Sequence, residues 1–152
     1  MSLADDFAAF EELSDHLFSL HRQRIDGLLD RLGLSPSQAL ALVTLHEAGE
    51  LKMSPLADRL GLSPGAATSL IERMVELGLV ARRRLEEDRR AVCVHLTEQG
   101  QALMAKAIAA KRDMAWSLFQ CLPDEARRNL LTAMEALRTA HQQIDAKEEP
   151  AS

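Results

Sequence analysis

The 152-residue chain has no apolar run near the roughly 18 residues that span a bilayer, and its acidic start, "MSLADDF", does not read as a signal peptide. A cytoplasmic protein with no membrane partner is expected. It has two cysteines, Cys93 and Cys121, and neither has a close-spaced partner. That spacing suggests neither a disulfide framework nor a zinc knuckle. His16 and His21 are five positions apart, a poor spacing for one face of a helix, and His46 has no His or Cys at ligand spacing. No metal site and no cofactor are expected. No nucleophile, base and orienting third group recur together, and no glycine-rich phosphate loop follows a strand, so the sequence does not read as an enzyme. Asp88 with Glu86 and Glu87 forms no exception, because a hairpin tip offers no enclosed cleft.

What is present is ordinary in bulk and uneven in detail. Apolar residues make up 47% and charged residues 27%, as in a globular domain of this length. The net charge is −5, yet residues 1–35 carry seven acids against three bases while residues 72–96 carry five acids against six arginines. A globally acidic chain disfavours polyanion binding over its whole surface and leaves room for one basic patch that orients approach. The stretch "RRRLEEDRRAVCVHLTEQG", residues 82–100, is that patch.

Apolar periodicity predicts a long first helix over 3–32, through Phe7, Phe10, Leu13, Leu17, Leu20, Leu28 and Leu32, stopping at Gly33. Ser35-Pro36 starts a second helix to about 48, and "ELKM" is a short extended connector. "SPLADRLG" reads as a third helix with a Ser-Pro start and a stop at Gly61; Ser63-Pro64 opens a fourth that ends at Gly78. "LVARRRLEE" and "RRAVCVHL" alternate as two strands joined at a charged tip, with Val92, Val94 and Leu96 on one face. Thr97 caps a helix of about 97–121, and Pro123 opens the last one, where Leu130, Met134, Leu137, His141 and Ile144 form a narrow seam. Trp116 and Phe119 are expected in a dimer core, and "KEEPAS" as a loose tail.

The stretch "LADRLGLSPGAATSL", residues 56–70, carries the most information. Two short helices meet at Gly61-Leu62-Ser63, a three-residue turn with glycine, as in a helix-turn-helix. Leu56 and Leu60 fall on the inner face of the first helix, Ala67 and Leu70 on that of the second, and Leu62 plugs the corner. Pro64, Gly65, Ala66, Thr68 and Ser69 then face outward at the N-terminal end of the second helix. Their short side chains suit entry into a major groove. An ordinary helical hairpin is the competing reading of this stretch alone; the arginine-rich strand pair that follows weighs against it.

The order of elements, "ERMVELGLVARR" and above all "DRRAVCVHLT" resemble the MarR (multiple antibiotic resistance regulator) family of winged helix-turn-helix transcription factors, over about residues 5–145. The family's wing signature is Asp-x-Arg, five residues, then Leu-Thr, here Asp88, Arg90, Leu96 and Thr97. The resemblance implies a mainly α protein with a small β-wing, in which residues 1–152 form one domain. Within it, 36–96 would be the winged helix-turn-helix lobe, and 3–32 and 97–147 the dimerisation helices of an obligate homodimer on a pseudo-palindromic operator. It further implies that Arg90 enters the minor groove and that Asp88 holds its guanidinium. Arg89 and one or more of Arg82, Arg83 and Arg84 are then expected on phosphates. Many members have a basic residue where this chain has Ser69, so base reading is expected from Thr68 and Ser69, with Arg73 reaching the backbone unless Glu76 or Glu72 pairs with it.

Members of the family often release DNA when a small aromatic or phenolic molecule enters a cleft beside the dimerisation helices. His16, Leu17, Leu20, His21, Leu42 and His46 lie on the helices that line that cleft and are the candidate effector residues. The first helix has no cysteine, so the peroxide sensing that some members perform there is not expected. The alternative to a DNA-binding regulator is a winged-helix protein-interaction module. That reading favours a wing without the Asp-x-Arg pair and an apolar outer face on the fourth helix, and the sequence has neither.

Overall fold

The computed structural model describes residues 2–84 and 92–148, the last four of them as helical backbone alone. The elements run α1 (Leu3–Leu32), α2 (Pro36–Ala48), β1 (Glu50–Lys52), α3 (Met53–Leu60), α4 (Pro64–Glu76), β2 (Val80–Arg84), β3 (Val92–Leu96), α5 (Glu98–Gln120) and α6 (Asp124–Glu148). No described helix is long and apolar enough to cross a membrane. The chain divides into two compact units, Met1–Lys111 and Arg112–Ser152.

Local chemistry explains most boundaries. Ser2 starts α1 with a capping box: its hydroxyl accepts from the Asp5 amide, and the Asp5 carboxylate accepts from the Ser2 amide. Donation from the Ser2 amide first, and from the Ser2 hydroxyl to the same carboxylate at 2.9 Å second, holds the Asp5 carboxyl below its ordinary value of 3.8. Ser35 does the same for α2 with Gln38 as its reciprocal partner, and Pro36 occupies the first helical position.

Two features differ from expectation. The connector "ELK" is a strand: β1 pairs antiparallel with β3, Leu51 opposite Val94, giving a three-stranded sheet in the order β1-β3-β2. In consequence α3 starts at Met53, not at the Ser-Pro pair; extended Lys52 is its N-cap, without a side-chain cap bond. Pro55 falls in the first turn, where the amide it lacks would have had no helical acceptor.

The core of the first unit lies where α2, α3 and α4 meet the sheet. Leu42, Leu45, Leu56, Ile71, Met74, Val80 and Val94 are fully buried there. Strand alternation puts Val80, Val94 and Leu96 on the helix-facing side and Ala81, Arg83, Cys93 and His95 on the other. In the second unit, Arg127 donates to the Leu122 carbonyl at 2.6 Å, pairs with Asp124 and lies 6.0 Å from the centre of the Phe119 ring. These contacts fix the turn from α5 into α6.

Candidate nucleic-acid interface

The α3–α4 pair is built from the inside outward. Leu56, Ala57 and Leu60 of α3 and Ala67, Ile71 and Met74 of α4 are buried, and Leu62 and Leu70 pack partly buried against the same core. Gly61 has φ 64°, a left-handed conformation that lets α3 end and the chain reverse within one residue. Ser63 then caps α4, its hydroxyl accepting from the Ala66 amide at 3.3 Å. With that face fixed inward, Pro64, Gly65, Ala66, Thr68 and Ser69 are all exposed at the N-terminal end of α4. Thr68 donates its hydroxyl hydrogen to the Pro64 carbonyl at 2.8 Å, so toward a ligand it offers an acceptor and a methyl group. Ser69 and Arg73 are exposed, and among the described ion pairs none involves Arg73.

The arginines at the base of the wing point to two sides. Arg82 lies on the α4 side of the sheet, 4.0 Å from the Glu72 carboxylate. Arg83 lies on the opposite face and donates from Nη2 to both carboxylate oxygens of Glu50, each at 2.8 Å. Arg84 is exposed at the end of β2. Asp88, Arg89 and Arg90 lie outside the described residues.

A cleft of about 370 Å³ opens within the first unit between α1, α2 and α5, apolar except for His46, Glu47 and Lys111. Leu42 and His46 line it together with Ile25, Leu28, Val43, Met104 and Ile108. His16, Leu17, Leu20 and His21 do not; they are exposed on the middle turns of α1. Among the described residues no three His, Cys, Asp or Glu side chains converge as metal ligands. Cys93 is buried on β3 and Cys121 is exposed just after α5, its thiol donating to the Ser117 carbonyl.

Residues 34–92 match the model of the MarR family. The organic hydroperoxide resistance transcriptional regulator of Bacillus subtilis is 41% identical over 81 residues, 53% of this chain and 55% of that protein. Among solved structures, a MarR family protein from Bacillus stearothermophilus aligns with a TM-score of 0.77 and 28% identity, over 95% of this chain and 99% of that one. Over residues 34–92 the chain thus carries a MarR-family domain. A mutant of S. aureus MepR bound to an oligodeoxyribonucleotide aligns with a TM-score of 0.74 over 86% of this chain and 96% of its own, at 18% identity, a likeness of fold alone.

Two parts of the MarR wing signature fall on described residues. Leu96 ends β3 in the core, and Thr97 precedes α5, its hydroxyl accepting from the Gly100 amide at 3.0 Å. Reading the sequence missed Glu50, 33 residues from the arginine it binds. Strand alternation was the one available signal, since it separates Arg83 from Arg82 and Arg84 by face.

Proposed function

We propose that this protein is a homodimeric transcriptional repressor of the MarR family. It reads a pseudo-palindromic operator in double-stranded DNA and is released by a small aromatic or phenolic effector. The observation that carries the reading is the exposed row from Pro64 to Ser69, held outward by the buried contacts of Ala67, Ile71 and Met74. Short side chains at the N-terminal end of a rigid helix suit close approach to base edges. Arg73, Arg84, Arg89 and Arg90 supply phosphate and minor-groove contacts, with Asp88 steadying Arg90. Arg82 and Arg83 serve chiefly to fix the base of the wing, since each faces a carboxylate of the chain itself.

Dimerisation is supported by apolar surface that the single chain leaves in water. Phe7, Phe10, Leu13, Leu17, Phe18 and Leu20 of α1 are exposed, as are Leu130, Leu131, Met134, Leu137 and Ile144 of α6. Burying such a surface contributes roughly 25 cal/mol per Å². The effector reading rests on the cleft, whose apolar wall and single imidazole suit a ring with one polar group. The peroxide response in the name of the Bacillus subtilis relative is not carried over by way of α1, which contains no cysteine.

Selection of bound sequences from a random pool of duplexes tests the core of the proposal. Enrichment of a twofold-related site is expected, with affinity that falls steeply as salt rises. Arg90→Ala should weaken binding to that site far more than Lys106→Ala. Equal effects, or no enriched sequence, overturn the reading.

A further inference from the structure

The exit from α4 is gripped by the first turn of α5 in a way that a helix cap alone does not require. Three successive carbonyls follow α4, and each accepts a hydrogen bond from this turn. Gln99 Nε2 donates to the Leu77 carbonyl at 3.3 Å, the Thr97 hydroxyl to the Gly78 carbonyl at 2.5 Å, and the Thr97 amide to the Leu79 carbonyl at 3.1 Å. Gly100 closes the seam, because a Cβ at that position would sit 2.0 Å from the Leu79 carbonyl oxygen. Bonds to three consecutive peptide planes restrain rotation as well as translation.

The other caps of this chain show what capping needs. The hydroxyls of Ser35 and Ser63 accept from the amides of Gln38 and Ala66, which satisfies one orphan donor in each helix. The Thr97 hydroxyl also accepts, from Gly100, but its one hydrogen goes to the Gly78 carbonyl. It therefore ties the start of α5 to the end of the helix that presents Pro64 to Ser69.

We propose that Thr97, seconded by Gln99, is a positioning residue for DNA recognition: it sets the angle at which α4 leaves the core, without touching the nucleic acid. The inference rests on the DNA-binding reading above. A tilt of a helix of 13 residues moves its far end most, and the far end of α4 is the reading end.

The test compares Thr97→Val, Thr97→Ser and Ser35→Ala on the duplex that the wild-type protein selects from a random pool. Circular dichroism first establishes that each variant is folded at the assay temperature. Thr97→Val is expected to weaken binding about three- to tenfold, the equivalent of one net hydrogen bond, with a shallower salt dependence as fewer phosphates are engaged together. Thr97→Ser, which keeps the hydroxyl, should restore affinity to within about twofold. Ser35→Ala, which removes a cap elsewhere, should lower the melting temperature without changing affinity. If Thr97→Val does not fold, Gln99→Ala decides, with an expected loss of about two- to threefold from its single bond. A folded Thr97→Val that binds like the wild type, or the same result for Gln99→Ala where that variant decides, overturns this inference and leaves the DNA reading standing. A wild-type protein that enriches no sequence overturns both.

Discussion

Glu50 and Arg83 sit on the two outer strands of a three-stranded sheet, and the Arg83 guanidinium holds both Glu50 carboxylate oxygens at 2.8 Å. The bond passes over β3, where Cys93 and His95 are the residues paired with Arg83 and Glu50. It joins the base of the wing to the strand that leads into α3. A chain with net charge −5 thus spends some of its clustered arginines on its own architecture.

Replacing Glu50 with Gln keeps the side-chain shape and removes one charge that Arg83 faces. Stability should fall by no more than about 1 kcal/mol, because both groups are well exposed and water screens the pair. Duplex binding should become more salt-dependent, with a slope steeper by at most about one phosphate, as Arg83 turns to the backbone. Titrations from low to moderate salt read this directly; an unchanged slope would show that loss of the Glu50 charge does not turn Arg83 toward DNA.

Met74 is fully buried on the inner face of α4. Truncation to Ala leaves a cavity beneath the helix and should cost about 2–5 kcal/mol. Urea denaturation should show a lower midpoint, and the surviving folded protein should keep its ion pairs at the wing base. A loss below about 1 kcal/mol would mean that the surrounding leucines collapse into the space.

Leu13 and Leu17 lie one helical turn apart on α1 and are each more than half exposed. Changing both to Asp should convert a dimer into a monomer in light scattering and weaken duplex binding in parallel. For the wild type, the unfolding midpoint should rise with protein concentration, as it does for a folded state coupled to association. A midpoint independent of concentration would contradict the dimer.

Asp5 gives a pH dependence whose sign is fixed. Its carboxyl is held below 3.8 by hydrogen bonds from Ser2 that only the folded helix provides. The stabilisation is therefore complete above about 3.8 and is lost as pH falls through the lower folded value. Amide exchange in the first turn of α1 should accelerate in that acid range, and Asp5→Asn should remove the dependence. Equal exchange in both proteins would place the fraying elsewhere.

The helix-turn-helix was legible because its signals are local. Ser-Pro at 63–64, glycine at 61 and leucines at three- and four-residue steps each act within one turn of helix. The third strand was not legible: three residues of "ELK" carry no pattern, and they become β1 only because β3 offers an unpaired edge. The cleft was legible in part, since Leu42 and His46 line it while His16 to His21 lie too far toward the start of α1.

The sequence by itself determined where the helices other than α3 begin, where they end and which of their faces are apolar, because caps, turns and periodicity act over a few residues. Only the tertiary structure decided which carboxylates Arg82 and Arg83 meet, and that the first turn of α5 would take three carbonyls beyond α4. Partners 10 to 33 residues apart meet through packing of the whole core. No local propensity encodes a distance between side chains that far apart along the chain.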